Sequence, residues 1–301
     1  MNKFQKTYNL ISNSKYKGVT GVYELDSKIK GPTVGVLMMT HGNEPCGLSV
    51  FEEYFNKKYK LEKGKILFIL QNQKAAEGFL LRKPSESSNR FVDFNMNRVT
   101  ELPSKKSSLY ESRRIAELKP IYNSCNFLLD FHSTSQKSSP MVLTFGENST
   151  QLASVIKGVP IIRDIHKLQK GKPVITLASS SIGKVAFECG KNNTDIAGKN
   201  AVNFNNIILN RIGMVKNLKG KFNKEKKPKI FEVERGVILK DNFNLIKRFK
   251  NFEYLKKGTV LARSDRKNKI VTDKNYYSVF CFKDYKNIPK GEEALFLLKK
   301  I

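Results

Sequence analysis

From Thr33 to Met39 a run of β-branched and apolar residues ends at Thr40-His41-Gly42, the pattern of a buried strand that delivers a loop at its C-terminal end. Leu48, Phe51, Phe55 and Tyr59 then recur at three- and four-residue intervals, so Cys46 to Lys58 is expected to form an amphipathic helix against that strand. Lys63-Gly64 turns into a second strand, Lys65 to Leu70, and a strand–helix–strand unit in this order implies an α/β sheet. Between Gln71 and Ser108 the periodicity is weak and Asn, Ser, Lys and Pro are frequent, which suggests an irregular wall of a functional site. Helical spacing resumes from Leu109 to Tyr122, and Phe127-Leu128-Leu129-Asp130-Phe131 predicts another buried strand ending at His132. Met141 to Phe145 and Val185 to Phe187 read as further strands, and Ile196 to Ile212 as a long helix with Asp195 near its start.

After a polar lysine run from Lys219 to Lys229 the pattern changes to short strand-like pieces at Ile230 to Val233, Val237 to Lys240, Val260 to Arg263, Tyr277 to Phe282 and Ala294 to Leu298. The expected organisation is therefore a catalytic α/β unit over residues 1–218, a mixed sheet flanked by helices, followed by a smaller β-rich unit over 219–301. Hydrophobic residues make up 40% and charged residues 27%, neither of which suggests disorder or a membrane protein. The longest apolar stretch, Val34 to Met39, is far too short to cross a bilayer, and the N-terminal residues hold no signal-peptide run, so a cytoplasmic protein is expected. Cys46, Cys125, Cys189 and Cys281 are scattered without a CxxC pair and read as small buried hydrophobes.

The formal net charge of +28 raises nucleic acid as a partner, but its distribution does not. The lysines are spread along the chain and form no aromatic-interleaved stripe, so a solvated lysine-rich surface is expected, with neither nucleic acid nor membrane as partner. An assisting role in capturing an acidic small molecule remains compatible with that charge.

The chain has three histidines, and two of them follow buried strands, in His41-Gly42-Asn43-Glu44 and in Asp130-Phe131-His132. Strand ends at the carboxyl edge of an α/β sheet are where ligands bind, and two imidazoles with a carboxylate can hold zinc with one position open. By spacing alone a pair of hydrogen-bonded histidines at loop starts explains the pattern equally well. His166, in Asp164-Ile165-His166-Lys167, has no partner motif and reads as a surface residue.

The sequence resembles the succinylglutamate desuccinylase/aspartoacylase deacylases, which are related to zinc carboxypeptidases. Thr40-His41-Gly42-Asn43-Glu44 is similar to that family's H-G-N-E zinc motif, Asp130-Phe131-His132-Ser133-Thr134 to its D-x-H-x-T motif, and Glu188-Cys189-Gly190 to its E-x-G segment. Arg90 to Arg98 resembles its R-x-x-D-x-D-L-N-R stretch. The resemblance implies a zinc-carboxypeptidase-like fold, one Zn²⁺ per chain held by His41, Glu44 and His132, and hydrolysis of a small N-acyl amino acid. It implies Glu188 as the group that takes and returns the proton, and Arg90 as the guanidinium beside the oxygen that gains charge. Asn97 and Arg98 are implied to hold the substrate carboxylate, and Tyr285, in an uncertain register with Tyr276 and Tyr277, to contact the substrate from the C-terminal unit. Asp130, two residues before His132 on one strand, points to the same side and reads either as an acceptor that orients an imidazole or as a strand-end turn residue.

Three positions depart from the family pattern: Asn95 stands where aspartate is usual, Gln73 where proline is usual, and Ala178 near the position of a second substrate-binding arginine. The last puts selectivity for a doubly acidic substrate in doubt, with Ser179, Ser180, Ser181 or Lys184 as substitutes. A zinc carboxypeptidase acting on peptides and a non-enzymatic nucleic-acid-binding protein are the rival functions, and a homo-oligomer is left open.

Overall fold

The computed structural model describes residues 4–81, 89–216, 218, 222, 227–240, 242–264, 268–282, 284–288 and 291–301. An eleven-stranded mixed sheet organises them, in the order Tyr254–Leu255, Tyr276–Val279, Glu293–Lys300, Ile230–Ile238, Ile161–Arg163, Met141–Thr144, Gly183–Lys191, Phe127–Thr134, Thr33–Met38, Lys65–Leu70 and Val22–Asp26. Thr33–Met38 lies parallel to both Lys65–Leu70 and Phe127–Thr134, and the latter lies parallel to Gly183–Lys191. These central strands are buried on both faces, which is why they read as unbroken apolar runs instead of alternating ones. Their shared direction brings His41, His132 and Glu188 to one edge of the sheet.

Several helices cover one face, among them Leu48–Asn56 and Asp195–Arg211. Pro45–Gly47 forms a 3₁₀ turn whose proline has no N–H to leave unpaired, and it leads into the helix Leu48–Asn56, which buries Leu48, Val50, Phe51 and Tyr54. That helix is shorter than the expected Cys46 to Lys58 because Lys58 turns left-handed, at φ 48°. The long helix Asp195–Arg211 starts from Thr194, whose hydroxyl accepts the Ala197 N–H, and packs Phe204 against Phe187 at 4.7 Å between ring centres. Phe187 in turn stacks on Phe131 at 5.0 Å, so the strands that carry His132 and Glu188 share one aromatic column worth about 0.5–1.5 kcal/mol per pair beyond burial. Tyr110–Asn123 covers the other face through Ile115, Leu118, Ile121 and Tyr122.

The segment expected to be irregular after Gln71 contains a helix, Gln73–Leu81, whose buried residues are Ala75, Ala76 and Leu80. Small alanine side chains give that face little hydrophobic contrast, and the Gln73 side chain donates to the Ser12 carbonyl of the N-terminal helix Gln5–Ser12. The lysine run 219–229 lies largely outside the described residues. Beyond it, Ile230–Ile238 is one strand with an irregularity between Val233 and Arg235, not two pieces, and it joins the large sheet beside Ile161–Arg163. A small three-stranded sheet, Phe243–Leu245, Val260–Ser264 and Lys269–Val271, completes a β-rich C-terminal region with its own apolar cluster. Cys46, Cys125 and Cys189 are buried and Cys281 half-buried, all as free thiols. No helix among the described residues is long and apolar enough to cross a membrane.

Candidate metal centre

The strand Thr33–Met38 is followed by Met39, which is fully buried and left-handed at φ 56°, so the chain turns sharply before Thr40 and His41. Such a conformation costs a non-glycine residue of order 1–3 kcal/mol and persists only where its surroundings impose it. Gly42 is equally constrained: a Cβ there would lie 2.2 Å from the Asn89 carbonyl oxygen and 2.4 Å from the backbone of Ala75. With no side chain in the way, the Gly42 N–H donates to the Arg90 carbonyl at 2.9 Å and joins the His41 loop to the Arg90 loop.

His41, Glu44 and His132 are all buried, with one potential ligand atom from each lying within 4.8 Å of the others. Glu44 sits between the two rings, with Oε1 3.0 Å from His41 Nδ1 and Oε2 2.9 Å from His132 Nδ1. The His41 Nδ1 atom is enclosed yet makes no aligned hydrogen bond, so a nitrogen and a carboxylate oxygen crowd the same small volume without satisfying each other. A cation in that volume resolves the conflict. The opposite ring nitrogens face acceptors: His41 Nε2 lies 2.9 Å from Asn95 Oδ1, and His132 Nε2 lies 3.0 Å from Asp130 Oδ2, an ion-pair distance without an aligned hydrogen bond. When Nε2 carries the proton toward these acceptors, Nδ1 is left with the lone pair that metal ligation requires. A buried N, O, N set oriented in this way suits zinc, and the substitution of asparagine for aspartate at position 95 keeps an acceptor where one is needed.

Without a metal the group pairs an anionic Glu44 with a charged His132, whose proton a bound metal would displace. Burial works against ionisation of Glu44, but His41 and Arg90 outweigh it and hold the carboxyl well below its usual range. Burial likewise opposes charge on His132, and the Asp130 carboxylate reverses this and raises it. Burial, with Arg90 beside it, lowers His41. Asp130 is itself anchored by a buried relay in which Tyr122 donates to Gln71, Gln71 to Thr40 at 2.7 Å, and Thr40 to Asp130 at 2.8 Å.

The Arg90 to Arg98 loop is organised by Glu111, a residue with no obvious motif. Its carboxylate is fully buried and accepts N–H bonds from Val92 at 2.6 Å, Asp93 at 2.9 Å and Phe94 at 3.3 Å, with the Asn72 amide at 2.9 Å. The only signal for it in the chain was an acid at the start of an amphipathic helix, which normally means solvent exposure. Glu111→Ala is expected to lower the unfolding free energy by about 3 kcal/mol or more, because charge-assisted bonds are lost and buried N–H groups are stranded. An unchanged urea midpoint would show that other contacts hold the loop.

This loop places Arg90 against Glu44, Nη1 to Oε1 at 2.6 Å, and its Nη2 lies 3.2 Å from His41 Nε2. Asn97 Nδ2 lies 3.2 Å from His132 Nε2, and Arg98 Nη1 donates to the Asn97 carbonyl at 3.0 Å. Burial lowers Arg98, while Glu293 and Glu292 act the other way. Glu188 does not follow its strand, as expected from the short run before it, but lies within Gly183–Lys191, opposite His132 in the register. Its side chain is partly open, its Oε2 is enclosed with no hydrogen-bond partner among the described residues, and burial pushes it up to about 7.

Arg90, Asn97, Arg98, His41, His132 and Glu188 all line one cleft of about 210 Å³. Tyr285 does not join them: it packs against the C-terminal apolar cluster. Tyr276 bonds Asp273 and Tyr277 packs edge-on to Phe231, so the C-terminal region reaches the cleft through Phe280, Phe282, Glu292, Glu293 and Phe296 instead. Those residues carry no catalytic signature, which is why spacing did not single them out. Ala178 and Lys184 are absent from the cleft lining, and Lys184 Nζ donates to the Ala178 and Ser179 carbonyls. His166 is half-buried rather than fully on the surface, its ring 5.3 Å from that of Phe145.

The sheet order, the helices on its faces and the buried N, O, N set at the strand ends define a mixed α/β fold with a candidate metal centre. Among solved structures, this fold is that of the succinylglutamate desuccinylase/aspartoacylase proteins. A succinylglutamate desuccinylase/aspartoacylase from Rhodobacter sphaeroides superposes with a TM-score of 0.69 at 11% identity, over 91% of this chain and 87% of the other. A succinylglutamate desuccinylase from Vibrio parahaemolyticus gives 0.67 at 15% over 93% and 86%, and murine aminoacylase 3 gives 0.64 at 16% over 91% and 97%. No family model and no curated protein matches the sequence. The mixed, carboxypeptidase-like α/β sheet with a C-terminal β-rich region is thus the fold expected from the sequence.

Proposed function

We propose that this chain is a zinc-dependent deacylase of the succinylglutamate desuccinylase/aspartoacylase type, which hydrolyses the amide bond of a small N-acyl amino acid. The observation that carries the reading is the buried group of His41, Glu44 and His132, one potential ligand atom from each lying within 4.8 Å of the others, with Glu188 opposite His132 in the register. Zinc held there would supply Lewis acidity to water and to the acyl carbonyl. Glu188 takes a proton from the attacking water and returns it to the leaving nitrogen, since an amine anion departs too slowly unprotonated. Arg90 stabilises the carbonyl oxygen as it gains charge, and Arg98 with Asn97 receives the carboxylate of the amino-acid half. Residues 1–218 then form the catalytic unit, and 219–301 supply the cleft's far wall, in a cytoplasmic enzyme.

The cleft volume of about 210 Å³, lined from the C-terminal region by Phe280, Phe282 and Phe296, favours a small amide over an extended peptide. Amine release from a panel of N-acetyl amino acids, lost with a chelator and restored by zinc, is the expected result. Turnover of short peptides with no release from the acyl amino acids would overturn the proposal in favour of a carboxypeptidase.

A further inference from the structure

The cleft's lining selects a narrower substrate class than the fold does. In a chain with 55 Lys and Arg residues and a net charge of +28, no lysine among the described residues lines the cleft. Among the described residues the arginines that line it are Arg90 and Arg98, against the carboxyl groups of Asp130, Glu188, Glu292 and Glu293. Arg90 is already engaged by Glu44 at 2.6 Å, which leaves Arg98 as the partner for one substrate carboxylate. Lys184, the nearest replacement for a second cation, spends its ammonium on the Ala178 and Ser179 carbonyls.

Beside the amides of Asn95, Asn97 and Gln169, the remaining wall is largely apolar. Leu143 and Phe145 face it from the Met141–Thr144 strand and its end, Ile165 and Ile175 from the segments that follow, and Phe282 and Phe296 from the C-terminal region. Leu143, Phe145, Ile165, Ile175 and Phe296 are buried. A second carboxylate placed on the apolar part of this wall loses its water, in a cleft that already holds the Glu292 and Glu293 carboxyl groups.

We propose that the physiological substrate is an N-acyl amino acid with a single carboxylate and an apolar side group, seated on the Leu143, Phe145, Ile175 and Phe282 wall. This rests on the deacylase function proposed above and specifies its substrate. Phe282 is the residue best placed to set the preference without supporting the fold, because it lies outside the strands, half-buried, held by its N–H to the Ala294 carbonyl at 2.8 Å.

The test compares zinc-loaded wild type and Phe282→Arg on N-acetylleucine, N-acetylphenylalanine, N-acetylaspartate, N-succinylglutamate and α-N-acetyllysine, and measures binding of free leucine and aspartate by calorimetry. Wild type is expected to favour the two apolar substrates over N-acetylaspartate by about tenfold or more in kcat/KM, and to bind leucine more tightly than aspartate. Phe282→Arg is expected to narrow or reverse that ratio, with Phe282→Leu retaining it. A wild-type preference for N-acetylaspartate, N-succinylglutamate or α-N-acetyllysine overturns the inference and leaves the deacylase function standing. Release of amine from no member, with leucine bound no more tightly than aspartate, overturns both.

Discussion

Replacing Glu188 with glutamine is expected to lower kcat by a factor of about 10² to 10⁴ while the protein keeps its metal. Glutamine matches the volume of the glutamate and fills the same enclosed space around Oε2, so the stacked pair Phe131 and Phe187 beneath it is undisturbed. What the amide lacks is a site that takes a proton from water and gives it back. Because burial already disfavours the Glu188 charge, a neutral isostere removes a desolvated carboxylate instead of a stabilising ion pair, and the melting temperature is expected to hold or rise. Turnover within a few-fold of wild type, at equal zinc content, would eliminate Glu188 as the proton carrier.

Glu44→Ala attacks the other half of the chemistry. It removes the central donor of the His41, Glu44, His132 group and the partner of Arg90 at one stroke. Changing a residue that only orients a metal ligand commonly costs 10- to 100-fold in metal affinity, and loss of the ligand itself is expected to weaken zinc binding by more than about 100-fold. Metal analysis after equilibrium dialysis reads this directly. If Glu44 were only a hydrogen-bonded bridge between two histidines, the variant would be less stable and would still hold one zinc per chain, and that result would refute the centre.

The elements that were legible in the sequence are those with strong hydrophobic contrast. Thr33–Met38, Lys65–Leu70 and Phe127–Thr134 stand out because strands buried on both faces are apolar without interruption, and Asp195–Arg211 because its apolar stripe is wide. The helix Gln73–Leu81 was hidden by its alanines, and Val22–Asp26, with only Val22 fully buried, carries too little apolar signal to announce an edge strand. Within the site, motif residues were visible because their side chains are chemically distinctive at strand ends. Glu111, Gln71 and Tyr122 were not, since their roles depend on which backbone groups the fold brings to them. Tyr285 shows the converse: a plausible residue type in an uncertain register, which the C-terminal strands direct into their own apolar cluster while Phe280 and Phe282 face the cleft.

The contact at Gly42 sets how this centre tolerates divergence. Backbone meets backbone there, so the alignment of His41 with Arg90 does not depend on which side chains surround the junction. Neighbouring positions are free to drift through many substitutions without moving the two loops apart, whereas any side chain at 42 acts as a wedge between them.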